Sequence, residues 1–140
     1  ALEANVDLKK IIEDLRLATG PMMNLGDVKD KTVPKMTIVS PPKNGGLINT
    51  RSFIPHRVHD AVGVLAAASV ATAANIPGAV GYDIASIPEG KRRMCEVEHP
   101  TGSMGVEVEL ADDPDDRVPK STSIMRTARL LFSGTAYYLD

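Results

Sequence analysis

Residues 51–60 read Arg51, Ser52, Phe53, Ile54, Pro55, His56, Arg57, Val58, His59 and Asp60, just ahead of an alanine-rich apolar stretch. If that stretch is a helix, its N-terminus carries partial positive charge and unpaired backbone N–H groups. An arginine and two histidines are then badly placed unless an anion sits among them. A bound carboxylate resolves the conflict; the alternative is that Arg57 points to solvent and Asp60 alone caps the end. A second cluster, His99, Pro100, Thr101, Gly102 and Ser103, falls between two strand-like segments. A turn with a glycine and two hydroxyl residues can aim N–H and O–H donors at one anion, although the same residues are common turn chemistry. The candidate binding residues are therefore Arg51, His56, Arg57, His59, His99, Thr101, Gly102 and Ser103, and their chemistry is anion binding and stabilisation of developing negative charge.

Other chemistries are weaker. His56 and His59, three apart, could share a metal with His99 converging from elsewhere, but no cysteine or second histidine pair supports this, and no metal is expected. Cys95, between Met94 and Glu96 in a strand pattern, reads as a buried, inert thiol. The acidic run Asp112, Asp113, Asp115 and Asp116 around Pro114 lacks the glycine and terminal glutamate of a calcium loop and reads as a solvated turn. The sequence holds no glycine-rich phosphate loop, nucleophile elbow or zinc signature.

The elements that must position these residues follow from periodicity. Apolar residues at Leu8, Ile11, Ile12, Leu15 and Ala18 predict a peripheral helix within residues 1–20, stopped by Gly20 and Pro21. Strands are expected at 36–40 and 47–54, joined through Pro41, Pro42, Gly45 and Gly46. Residues 57–76 are expected to form the central helix, buried because it is apolar all round and closed by Pro77 and Gly78. Segments 79–87, 92–98, 104–110, 123–132 and 135–139 read as strands. The order predicts an α+β fold with a curled mixed sheet wrapped around one buried helix, and a Rossmann arrangement is excluded for want of helices and a glycine-rich turn.

The chain has 140 residues, 43% apolar and 24% charged, which is about one globular domain. Sixteen basic against eighteen acidic side chains, with no tryptophan, argue against a nucleic-acid surface. The longest apolar run, 61–74, is too short to span a membrane. One cysteine and a polar, mixed-charge opening fit the cytoplasm. The chain opens on Ala1 inside a helical pattern, as expected of a trimmed piece.

The runs LRLATGPMMNLGDV at 15–28, VPKM at 33–36, TRSFIPHRVH at 50–59, the helix from Gly63-Val64-Leu65 to Ala74 with IPG at 76–78, EHPTG at 98–102 and RTAR at 126–129 resemble, as a set, the C-terminal half of the 2-methylaconitate isomerase family. The version with Ile54-Pro55-His56-Arg57 is most similar to its 4-oxalomesaconate tautomerase members. The resemblance implies a diaminopimelate epimerase-like fold of two similar domains, each wrapping strands around a central helix, with substrate held between them. It implies proton transfer on an unsaturated tricarboxylate without metal or organic cofactor. His59 matches the family's histidine at the start of the central helix, and 99–102 match its active-site turn. The cysteine and lysine that transfer the proton belong to the other half, so no residue here is assigned as catalytic. The implied partners are that N-terminal domain and a second copy in a homodimer. The competing expectation is a non-catalytic domain used for subunit pairing.

Overall fold

The computed structural model describes residues 2–112, 119–135 and 137–138. After a 3-10 turn at Leu2–Ala4, helix α1 runs Val6–Met22, with the Asn5 side chain accepting the Leu8 amide at 3.0 Å. The helix does not stop at Gly20 and Pro21. Gly20 is buried with a virtual Cβ 2.4 Å from Val28, and Asn24, at φ 59°, turns the chain instead. Tertiary packing of a residue without a side chain thus holds the last turn together. The buried stripe of α1 is Ile12, Arg16 and Gly20, whereas Ile11 and Leu15, expected inward, are exposed.

Five strands form one mixed sheet in the order β1-β2-β3-β4-β5. They are β1 (Met36–Ser40), β2 (Ile48–Phe53), β3 (Arg92–His99), β4 (Gly102–Leu110) and β5 (Pro119–Ile124). All neighbours are antiparallel except β2 and β3, which pair in parallel at Ile48 with Val97 and Asn49 with Glu98. A parallel pair needs a crossover, and helix α2 (Val64–Ala74) supplies it. Ala67, Ala71 and Ala74, at i, i+4 and i+7, are fully buried on the sheet among Leu47, Cys95, Val97, Val106 and Val108. Alanine on that face lets helix and sheet approach closely.

The structure corrects four expectations. The central helix begins at Val64, not at residue 57, because residues 53–59 close a tight hairpin: Phe53 bridges Val58, the Ile54 amide donates to Arg57 O at 3.0 Å and the His59 amide to Ser52 O at 2.9 Å. Its buried face is one side only, since Leu65 is 82% exposed. Residues 79–87 carry a 3-10 turn at Tyr82–Ile84 rather than a strand, the chain being turned by Gly78 and Gly81 at φ 77° and 95°. The segment 123–132 is strand only as far as Ile124, and Thr135, Tyr137 and Tyr138 carry none; a strand needs a partner, and among the described residues none pairs with these. Ala136 and Leu139 lie outside the described residues, as does the acidic run except Asp112, which is exposed and bonded to Lys91.

Among the described residues no helix is long and apolar enough to cross a membrane.

Candidate functional site

The loop ahead of α2 and the turn between β3 and β4 meet. The Thr101 hydroxyl donates to the Asp60 carbonyl at 2.7 Å, and its oxygen lies 3.2 Å from His99 Nδ1. One step back along the loop, the Ala61 amide donates to His59 Nδ1 at 3.1 Å. Sequence reasoning placed His59, His99 and Thr101 in one site, and the fold brings their segments together. Beyond Asp60 the chain reaches Gly63, the N-cap of α2, where no side chain caps the helix and no acid occupies the first turn. The alternative in which Asp60 caps the helix does not occur: the N-cap of α2 lies three residues beyond it.

The remaining candidates make contacts of their own. His56 Nδ1 is 3.6 Å from Glu13 Oε2 on α1. The Glu3 carboxyl is held below its usual range first by the Lys9 hydrogen bond, then by the Val58 amide, and to a smaller extent by the charges of Lys9 and Arg57. The Val58 amide donates to Glu3 at 2.7 Å. The hairpin tip thus meets carboxylates of the protein itself. Arg51, on β2 opposite Ile38, donates to Asn49 Oδ1 at 2.9 Å and to Thr50 O at 2.6 Å. Ser103 donates to Glu96 at 2.7 Å, and with Gly102 it lines a cavity of about 240 Å3 shared with Asn44, Gly46, Glu96 and Glu98.

Glu98 was not legible as a site residue. Only 3% exposed, its carboxylate accepts the amides of Lys43, Asn44 and Gly46 at 2.8, 2.7 and 2.9 Å, while its backbone oxygen accepts the Thr50 hydroxyl at 2.7 Å. Burial pushes its pKa up, and the three amides, aided by the Lys43 charge, outweigh burial and hold it below the usual carboxylate value. The arrangement ties the 43–46 turn to the strand that ends in His99. No sequence spacing announces it, because the donors lie more than fifty residues away. It also explains Gly46, whose Cβ would stand 2.6 Å from Glu96 O and 2.8 Å from Glu98 Cγ. Gly46→Ala is expected to cost about 2 kcal/mol in urea unfolding, since a backbone oxygen cannot step aside.

Cys95 is fully buried, and burial raises its thiol pKa, as expected of an inert cysteine. Among the described residues no group of three or more His, Cys, Asp and Glu side chains could hold a metal.

A mixed sheet carrying one crossover helix, with an imidazole and hydroxyl turn latched to the loop before that helix, is a diaminopimelate epimerase-like α+β unit. It superposes on the crystal structure of methylitaconate-delta-isomerase with a TM-score of 0.71 at 16% identity, covering 89% of this chain and 38% of that one. The chain belongs to the PrpF protein family, matched over residues 1–139. It is 50% identical over 137 residues to (4E)-oxalomesaconate Delta-isomerase of Novosphingobium sp. (strain KA1), covering 98% of this chain and 38% of that protein. It is 51% identical over 133 residues to 4-oxalomesaconate tautomerase of Pseudomonas putida, covering 95% of this chain and 36% of that protein. The chain thus spans little more than a third of the length of these curated relatives.

Proposed function

We propose that this chain is the C-terminal part of a two-domain, cofactor-independent isomerase that moves a proton between carbon atoms of a small unsaturated tricarboxylate such as 4-oxalomesaconate. Its role there is to bind carboxylate and stabilise charge. The observation that carries the reading is the Thr101 to Asp60 bond, which ties the turn that holds His99 to the loop that holds His59 ahead of α2. Removing a proton from carbon beside an unsaturated acid leaves an enolate-like charge, and fixed donors that meet that charge lower the barrier. His59 is suited to be such a donor. Ala61 holds its Nδ1 at 3.1 Å, which leaves Nε2 for a ligand. The groups that take and return the proton belong to the N-terminal domain, and a homodimer in the cytoplasm completes the reading.

His59→Ala in the complete enzyme is expected to lower kcat/KM by about 2 to 4 kcal/mol in transition-state terms. The melting temperature should stay within about 2 °C, because the residue is exposed. Assay in deuterated water, following exchange at carbon by NMR, measures the first; calorimetry on the same sample measures the second. A lower melting temperature with normal kinetics would make His59 structural. Cys95→Ser should leave turnover unchanged, and a hundredfold loss with folding intact would place Cys95 in the chemistry.

A subunit-pairing role draws on a different observation. The exposed side of α2, with Leu65, Ala66, Val70 and Ala73, lines an apolar groove of about 500 Å3 together with Leu25, Val39 and Val80. If pairing were the only role, anionic substrates would not protect the amides around Asp60 from hydrogen exchange in the complete protein.

A further inference from the structure

We infer that Thr101 is a positioning residue that holds His99 as its Nδ1–H tautomer, so that His99 offers Nε2 as a hydrogen-bond acceptor. The inference rests on the reading that this loop and turn form a substrate-binding wall. It changes the role expected for Thr101, from touching substrate to orienting a group that does.

Proton count decides the tautomer. Thr101 has a single hydroxyl proton, and the 2.7 Å contact to the Asp60 carbonyl uses it, since a carbonyl cannot donate. The same oxygen lies 3.2 Å from His99 Nδ1. With the hydroxyl proton committed, a bare Nδ1 would face oxygen lone pairs; a protonated Nδ1 donates to them. The result is a relay, Nδ1–H to Oγ1–H to the Asp60 carbonyl, in which each bond polarises the next. The Thr101 amide competes for Nδ1, but at 3.4 Å it is the longer contact, and on an exposed residue water can satisfy that N–H instead.

His59 Nδ1 is held by Ala61, whose amide and carbonyl both lie 3.1 Å from it, a contact that either tautomer can make. The acceptor offered by His99 fits a ligand presenting an enolic or hydroxyl O–H, and it selects against an acid with carboxylates alone, whose ionised oxygens only accept.

The test is histidine nitrogen NMR on the chain labelled with 15N, at about pH 8.5, above the ordinary histidine range. Wild type should show Nδ1–H at His99. Thr101→Val, which removes the hydroxyl and nearly keeps the shape, should move His99 to Nε2–H, and Thr101→Ser should keep it on Nδ1. His99 found as Nε2–H in wild type, or unmoved by valine, overturns the inference; the wild-type spectrum decides alone if the valine variant does not fold. In the complete enzyme, kcat/KM should fall about tenfold in Thr101→Val and return to within about twofold in Thr101→Ser. A tautomer change with no change in rate leaves the positioning intact and removes this wall from the reaction, so it sinks the functional reading and not the inference.

Discussion

Arg16→Ala is expected to destabilise the chain by about 3 to 5 kcal/mol, the usual cost of breaking a buried, fully bonded ion pair from one side. Arg16 sits mid-helix in α1 and is 1% exposed. Its Nε and Nη2 donate to the Glu13 carboxylate at 2.7 and 2.8 Å. Its Nη1 donates to the carbonyls of Val28, Lys31 and Val33 at 2.9, 3.0 and 2.7 Å. One guanidinium therefore gathers three carbonyls of the connection between α1 and β1, which its planar fork can do and a lysine ammonium cannot reproduce. Alanine leaves those carbonyls and Glu13 without the donor and opens a void beside Val28. Urea unfolding should show a lower midpoint with an unchanged slope. Arg16→Lys should recover less than half the loss, and a change below about 1 kcal/mol in the alanine variant would show that water replaces the donor at no cost.

Glu98→Ala is expected to cost about 3 kcal/mol, and its signature is a change in pH dependence. Three backbone amides converge on a carboxylate that is 3% exposed, and without it they face a cavity. Charge-assisted bonds of this kind are stronger than neutral ones, and their loss leaves donors unpaired. The folded-state pKa of Glu98 lies below the ordinary glutamate value of 4.5, so the unfolded chain binds the proton more readily. The stabilisation is then fully present above about pH 4.5 and is lost as pH falls through the folded value. Wild-type unfolding free energy should decline on acidification below that point. Glu98→Gln should decline less steeply over the same window, because its side chain does not titrate. Equal slopes in wild type and Glu98→Gln would show that the three amides do not favour the charged form.

Much of the frame was legible because it is local. Strands at 36–40, 92–98 and 104–110, and the alanine helix, follow from alternation, from turn residues and from an apolar run too long for a strand. The start of α2 was misread because residues 57–62 hold neither proline nor glycine, and the glycine at 63 was taken as part of the helix. What excludes them from the helix is the bridge from Val58 to Phe53 and the bond from His59 to Ser52, neither of which spacing can show. The buried face of α1 was misread for a related reason. Periodicity assumes that apolar residues turn inward, whereas here Arg16 is inward because three distant carbonyls need a donor.

The same division runs through the candidate site. Residue type alone marked His59, His99 and Thr101, since imidazoles and hydroxyls near turns and helix ends are the groups that can meet an anion. Charge alone also marked Arg51, His56 and Arg57, and the fold gives them partners within the protein: Arg51 bonds Asn49 of its own strand, His56 lies 3.6 Å from Glu13, and the charge of Arg57 acts on Glu3. A cation in sequence does not say which carboxylate will meet it; only the packing of α1 against the hairpin does. Sequence by itself determined the family, the α+β class and the chemistry available, because these depend on residue types and short-range order. Which segments meet depends on contacts between residues forty or more apart, such as Thr101 with Asp60, and the fold alone decides those.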